Sequence, residues 1–164
     1  MSGLPRVGFI GVGTIAEALI TGMCAAGEQR ATFLLSPRNA VIARRLAKRF
    51  SSVEVAGDNQ AVIDGSDTIF LAVRPQVAAD VLGTLKFRQD QRIVSLIATF
   101  NVARLRTLVA PASTIARAAP LPAVARRLGP LTLYPPVPEI VKLLEGLDNW
   151  FSSRTRRISM PTGR

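Results

Sequence analysis

A chain of 164 residues with 48% hydrophobic and 20% charged residues is long enough for one domain with a real core and too short for a large two-domain enzyme. Histidine is absent and cysteine occurs once, as Cys24, which excludes an imidazole base, a zinc cluster and an internal disulfide, and no bound metal is expected. The formal charge of +10 is dilute: residues 1–147 hold 17 basic and 10 acidic side chains and residues 148–164 hold 4 and 1, with little aromatic interleaving, so nucleic acid is not the expected primary partner.

The first element is a strand over Arg6 to Ile10, a short β-branched and aromatic run that feeds into Gly11-Val12-Gly13. A helix follows from Thr14 to Ala26, with Ile15, Ala18, Leu19, Gly22 and Met23 on its apolar face. Strand, glycine turn and helix in this order make a dinucleotide-binding fingerprint, G-x-G-x-x-A. Gly11 permits the tight turn, Gly13 leaves room for a pyrophosphate, and Ala16 lets the helix approach the sheet. The helix N-terminus then presents free N–H groups and a partial positive charge. A glycine-rich βα turn without a ligand is the plainer account of a lone match; the flanking strand and helix favour the nucleotide.

Strand and helix then alternate. Strands are expected at Thr32 to Leu35, Val53 to Val55, Thr68 to Ala72, Arg92 to Leu96 and Thr114 to Arg117. Helices are expected at Asn39 to Phe50, Gln60 to Asp64, Gln76 to Leu82 and Val102 to Leu108. The pattern implies a Rossmann-like α/β fold: a doubly wound, mostly parallel sheet with helices on both faces, in a single domain. Ser36-Pro37, Asp58-Asn59 and Gly65-Ser66 supply turns and helix starts. Arg44, Arg45, Lys48 and Arg49 read as the solvated face of the second helix, and Cys24 as a small core residue.

Beyond Pro120 prolines punctuate a closing edge of the same domain, with a strand over Gly129 to Tyr134 and a helix over Glu139 to Leu147. Residues 1–147 form the expected NAD(P)-binding domain, and residues 148–164, without sustained periodicity, an irregular basic tail. No apolar run approaches the roughly 20 residues that span a bilayer, and no signal peptide is evident, so the expected location is cytoplasmic.

At the tip of the second strand a dinucleotide fold places an acid on the ribose 2′-OH of NAD. Here Leu34-Leu35-Ser36-Pro37-Arg38-Asn39 contains none. Ser36 and Arg38 suit a 2′-phosphate, which favours NADP, although a helix cap followed by a surface arginine also fits. The loop Ala72-Val73-Arg74-Pro75 lies at a strand's carboxyl end, where ligand crevices of open α/β sheets form, and should border the nicotinamide half.

Together these stretches resemble the pyrroline-5-carboxylate reductase family, through Gly8-Phe9-Ile10-Gly11-Val12-Gly13, Ser36, Asp58-Asn59, Ala72-Val73-Arg74-Pro75 and Ser95-Leu96-Ile97-Ala98, and more loosely Arg117-Ala118-Ala119-Pro120. The resemblance covers most of residues 5–147. It implies that Ile10, Gly11, Val12, Gly13, Thr14 and Ile15 cradle the pyrophosphate and that Ser36 and Arg38 meet the adenosine 2′ end. It also implies that Asn59 contacts the nucleotide, Ala72 to Pro75 the nicotinamide ribose and Ala98 the nicotinamide. The implied activity is NADPH-dependent hydride transfer to a small cyclic imine, the closing step of proline biosynthesis. A protonated imine accepts hydride without a strong base, which suits a chain lacking histidine.

Thr99 stands where the family has glycine, and its branched Cβ is expected to crowd a backbone that lies near the nicotinamide. Leu121 replaces an asparagine between Pro120 and Pro122. Both mark a divergent member. The family's C-terminal helical domain has no counterpart after Leu147, so a truncated member is expected, and an exposed sheet face or edge where that domain would dock leaves two expectations, self-association as a homo-oligomer or poor stability. No catalytic residue is identified: Tyr134, flanked by Leu133 and Pro135, is expected in a core or edge position. The alternative is a non-catalytic NADP-binding module that acts through a partner.

Overall fold

The computed structural model describes residues 3–25 and 29–147. The expected tail, 148–164, and Ala26 lie outside the described residues. Those described form seven strands, six α-helices and one short 3-10 helix. In chain order these are β1 (Arg6–Ile10), α1 (Thr14–Cys24), β2 (Thr32–Leu35), α2 (Ala40–Arg49), β3 (Val53–Val55), α3 (Asn59–Asp64) and β4 (Thr68–Leu71). There follow α4 (Pro75–Gly83), β5 (Arg92–Ser95), α5 (Val102–Leu108), β6 (Thr114–Pro120), the 3-10 helix Pro122–Arg126, β7 (Leu131–Tyr134) and α6 (Pro138–Leu144).

The sheet order is β3-β2-β1-β4-β5-β6-β7. β1 to β6 pair in parallel, and β7 closes the sheet antiparallel to β6. The order reverses between β1 and β4, which opens a crevice beyond the strands' carboxyl ends. This is the Rossmann-like architecture expected.

Both faces of the sheet are covered, and the strand period of two sorts side chains between them. Val7 and Phe9 of β1, Phe70 of β4 and Val94 of β5 pack against α1, α2 and α6. Ile10, Ile69, Leu71 and Ile93 point the other way, into a core shared with α3, α4 and α5. Burying each such side chain contributes roughly 1.5–3 kcal/mol. At the reversal, the Phe9 and Phe70 rings of registered positions stack, with centroids 4.7 Å apart and planes 9° apart.

Helix α1 departs from its expected face. Ala16, Ala18, Leu19, Ile20, Gly22 and Met23 are buried, while Ile15 is half-exposed. The 3-10 helix, which no periodicity announced, packs on α1: a Cβ on Gly22 would come within 2.4 Å of the Val124 carbonyl oxygen, so glycine there permits backbone contact. Cys24 sits at the margin of this core, half-buried, its sulfur 3.7 Å from Ser52 Oγ. Burial pushes its thiol pKa up, against smaller opposing effects of Ser52 and Arg49. The four basic residues of α2 are exposed as expected; Arg45 pairs with Glu17 of α1, and Arg49 lies over the Phe50 ring.

Candidate functional site

The crevice is a cavity of about 680 Å³ at the carboxyl ends of β1, β4, β5 and β6. One wall is Gly13 to Ala16 with Ala72 to Pro75; the other is Ser95 to Ala98, Arg117 to Pro120, Thr132 and Tyr134. Among the described residues, two arginines and no carboxylate line it.

The first wall is mostly main chain. Gly11 adopts φ +86°, and a Cβ on it would lie 2.8 Å from the Ala72 carbonyl oxygen. The turn after β1 thus needs glycine twice over, for its left-handed conformation and for the loop after β4 pressed against it. Ala72 N–H donates to the Ile10 carbonyl at 2.8 Å, tying the loops together. Gly13 is the N-cap of α1 without a side-chain cap, and a Cβ added to it would meet nothing within 4 Å. The first-turn N–H groups of Thr14, Ile15 and Ala16 have no intrahelical acceptor, and these residues line the cavity. Glu17, the acid of this first turn, is paired with Arg45, which offsets a negative charge that would oppose an anion there.

Of the residues expected to cradle a pyrophosphate, Gly13, Thr14 and Ile15 line the cavity. Ile10 and Val12 turn their side chains into the two cores, leaving only backbone to the site. Ala72, Val73, Arg74, Pro75 and Ala98 all line it. Thr99 is exposed and stands outside the lining. Leu121 is 50% exposed and also stands outside the lining.

Ser36 and Asn59 meet beyond the ends of β2 and β3, and Arg38 follows Ser36 by two residues. Ser36 is buried, and its hydroxyl donates to Asn59 Oδ1 at 2.6 Å. It braces Asn59 from beneath instead of standing at the surface. Arg38 is exposed, with no hydrogen bond or ion pair among the described residues.

The second wall holds what sequence reasoning missed. Arg117 is the registered partner of Ser95 on one side and of Tyr134 on the other, so three strands contribute to one row. Tyr134 stands on the edge strand β7, one of the two places expected for it; it is 72% exposed and also lines the cavity, because antiparallel β7 turns it outward. The loose Arg117-Ala118-Ala119-Pro120 match marked one strand of this wall; nothing local marked Thr132 or Tyr134.

A family model described as NADP oxidoreductase, coenzyme F420-dependent, matches residues 6–99. The chain belongs to this family. It is similar to pyrroline-5-carboxylate reductase of Pseudomonas aeruginosa, 30% identical over 132 residues, covering 79% of this chain and 48% of that protein. Pyrroline-5-carboxylate reductase 3 of Danio rerio is 33% identical over 116 residues, covering 66% and 38%. Among solved structures, 1-pyrroline-5-carboxylate reductase of Streptococcus pyogenes superposes with a TM-score of 0.70 at 25% identity, over 87% of this chain and 56% of that one. The Plasmodium falciparum pyrroline carboxylate reductase, solved with NADP bound, shares the fold at a TM-score of 0.67 and 17% identity, over 89% and 57%. The chain spans about half the length or less of the curated relatives it matches. No helix among the described residues is long and apolar enough to cross a membrane.

Proposed function

We propose, from that family membership and from the uncapped α1 N-terminus at the cavity, that this chain is the NADP(H)-binding part of a reductase of the pyrroline-5-carboxylate reductase type. The observation that carries the reading is the set of free N–H groups at Thr14, Ile15 and Ala16, beside a glycine with open space where a Cβ would be. Such a terminus suits a pyrophosphate, and the paired Glu17 removes the nearest objection. Ser36, Arg38 and Asn59 follow β2 and β3, and the acid-free cavity lies at the ends of β1, β4, β5 and β6, an arrangement that fits an extended dinucleotide.

In this reading Gly13, Thr14 and Ile15 hold the pyrophosphate while Arg38, free of any carboxylate, meets the 2′-phosphate. Asn59, braced by Ser36, bonds the adenosine ribose. Ala72 to Pro75 and Ala98 enclose the nicotinamide ribose and ring. When bound, the reduced nicotinamide supplies the hydride that a C=N carbon accepts. The protein's work is position and electrostatics: arginines rather than acids surround the cavity, which favours an anionic imine such as pyrroline-5-carboxylate. We place the protein in the cytoplasm and its reaction in proline biosynthesis.

Fluorescence titration of the purified chain with NADPH and NADH tests the binding, and NADPH oxidation with pyrroline-5-carboxylate tests the chemistry. Saturable binding that prefers NADPH is expected. Failure to bind either nucleotide overturns the proposal, and binding without turnover assigns the chain to a module that acts through a partner. Light scattering on the same samples reads homo-oligomer formation.

A further inference from the structure

Arg117 has no acidic partner among the described residues; its recorded side-chain hydrogen bond runs from Nη2 to the main-chain carbonyl of Ala98, at 2.7 Å. That choice is informative. The loop between β5 and α5 is anchored on either side of Ala98 by its own contacts: Ile97 N–H donates to Ser95 Oγ at 3.2 Å, and Phe100 N–H to the Ile97 carbonyl at 3.2 Å. Ile97 and Phe100 are buried, whereas Ala98 is exposed and reaches the cavity. The Ala98 carbonyl is thus held from outside its loop, by a side chain of the neighbouring strand β6, through a charge-assisted bond of the stronger kind.

We propose that Arg117 is a positioning residue, which fixes the Ala98 peptide so that the nicotinamide wall of the cavity is formed before the cofactor arrives. The inference rests on the reading of Ala98 as the nicotinamide contact. Arg117 is registered with Ser95, at the carboxyl end of β5, so its guanidinium reaches forward by about one side-chain length to the loop that begins there. With Arg117 removed, the exposed Ala98 peptide would exchange its fixed partner for water, and a nicotinamide would have to order it on binding.

The test separates the nicotinamide end of the ligand from the rest. The intact chain and its Arg117→Met and Arg117→Lys variants are titrated with NADPH and with 2′,5′-ADP, which lacks the nicotinamide. Arg117→Met is expected to weaken NADPH roughly tenfold, about 1.4 kcal/mol, and to leave 2′,5′-ADP within a factor of two. Arg117→Lys, which keeps a cationic donor, is expected to recover part of the loss. Equal losses for both ligands, or a variant that binds neither, would assign Arg117 a general structural role and overturn the proposal. So would an unchanged NADPH affinity, or a lysine variant no better than methionine. If the unaltered chain binds 2′,5′-ADP but its affinity gains nothing from the nicotinamide, the assignment of Ala98 fails first.

Discussion

The two walls of the cavity are built on different principles. The wall from β1, α1 and β4 offers main chain: a glycine at φ +86°, an uncapped helix and a loop that touches it. The wall from β5, β6 and β7 offers side chains, with Ser95, Arg117 and Tyr134 in one row across three strands. Main-chain donors serve any phosphate, whatever else the ligand carries, whereas a row of side chains can change residue by residue without disturbing the strands beneath. General affinity is therefore expected on the first wall and discrimination on the second.

The contrast is broken most directly at Gly13. An aspartate there would act as a side-chain cap for α1, leaving stability unchanged or raised by a few tenths of a kcal/mol, while its carboxylate occupies the phosphate position. Gly13→Asp is expected to weaken NADPH by about 3 kcal/mol, more than a hundredfold, in the same titration, with a melting temperature no lower than before. A fall in melting temperature to match the lost affinity would mean that Gly13 serves the fold and not a ligand.

The next effect in size lies just beyond the first wall. Arg38→Asp should cost NADPH roughly 1.5–3 kcal/mol, on the order of tenfold or more, and cost NADH less. Equal losses for the two nucleotides would show that Arg38 does not read the 2′-phosphate. On the second wall Tyr134→Ala should leave stability within about 0.5 kcal/mol, because the ring is 72% exposed, and leave NADPH affinity within about twofold. The change should appear instead in turnover with the imine; a large loss of NADPH affinity would erase the distinction between the walls.

Cys24 supplies the smallest effect and a control. It lies at the far end of α1, roughly 16 Å of helix from Gly13, so Cys24→Ser should leave nucleotide binding unchanged. Burial raises its pKa in the folded chain. Its stabilising contribution is therefore complete below the ordinary thiol range and fades as pH rises through the elevated value. Alkylation of the native protein should be slow at neutral pH and accelerate more steeply above it than in the unfolded chain.

Legibility followed the same division. β1, β2, β3 and α5 have the boundaries their residues predict, because each is a short run closed by a turn or cap signal, such as Asn101 before α5. The first wall was readable for a related reason, since each of its two segments, Gly13 to Ala16 and Ala72 to Pro75, is a short run that directly follows a strand. Ser36 was harder: its position was legible, but its burial and its bond to Asn59, 23 residues away, come from the approach of two loops. Tyr134 was legible as a core or edge residue and not as part of the cavity, because alternation alone does not say which side of an antiparallel strand faces outward. Ile15 and Ile20 exchanged roles on α1 because the helix is also covered by the 3-10 segment and because its first turn faces the cavity. Arg117 was legible as a residue and not as a contact, since its partner lies one strand away.

The stacked pair Phe9 and Phe70 gives the crevice a mechanical character. It fastens β1 to β4 at the line where the chain reverses its winding, beneath the two joined loops that make the first wall. A seam so fastened resists prying, and whatever adjustment a guest demands must be taken up by the loops above it. The first wall of the cavity therefore stands on a fixed base, and its adjustment falls to the loops above it.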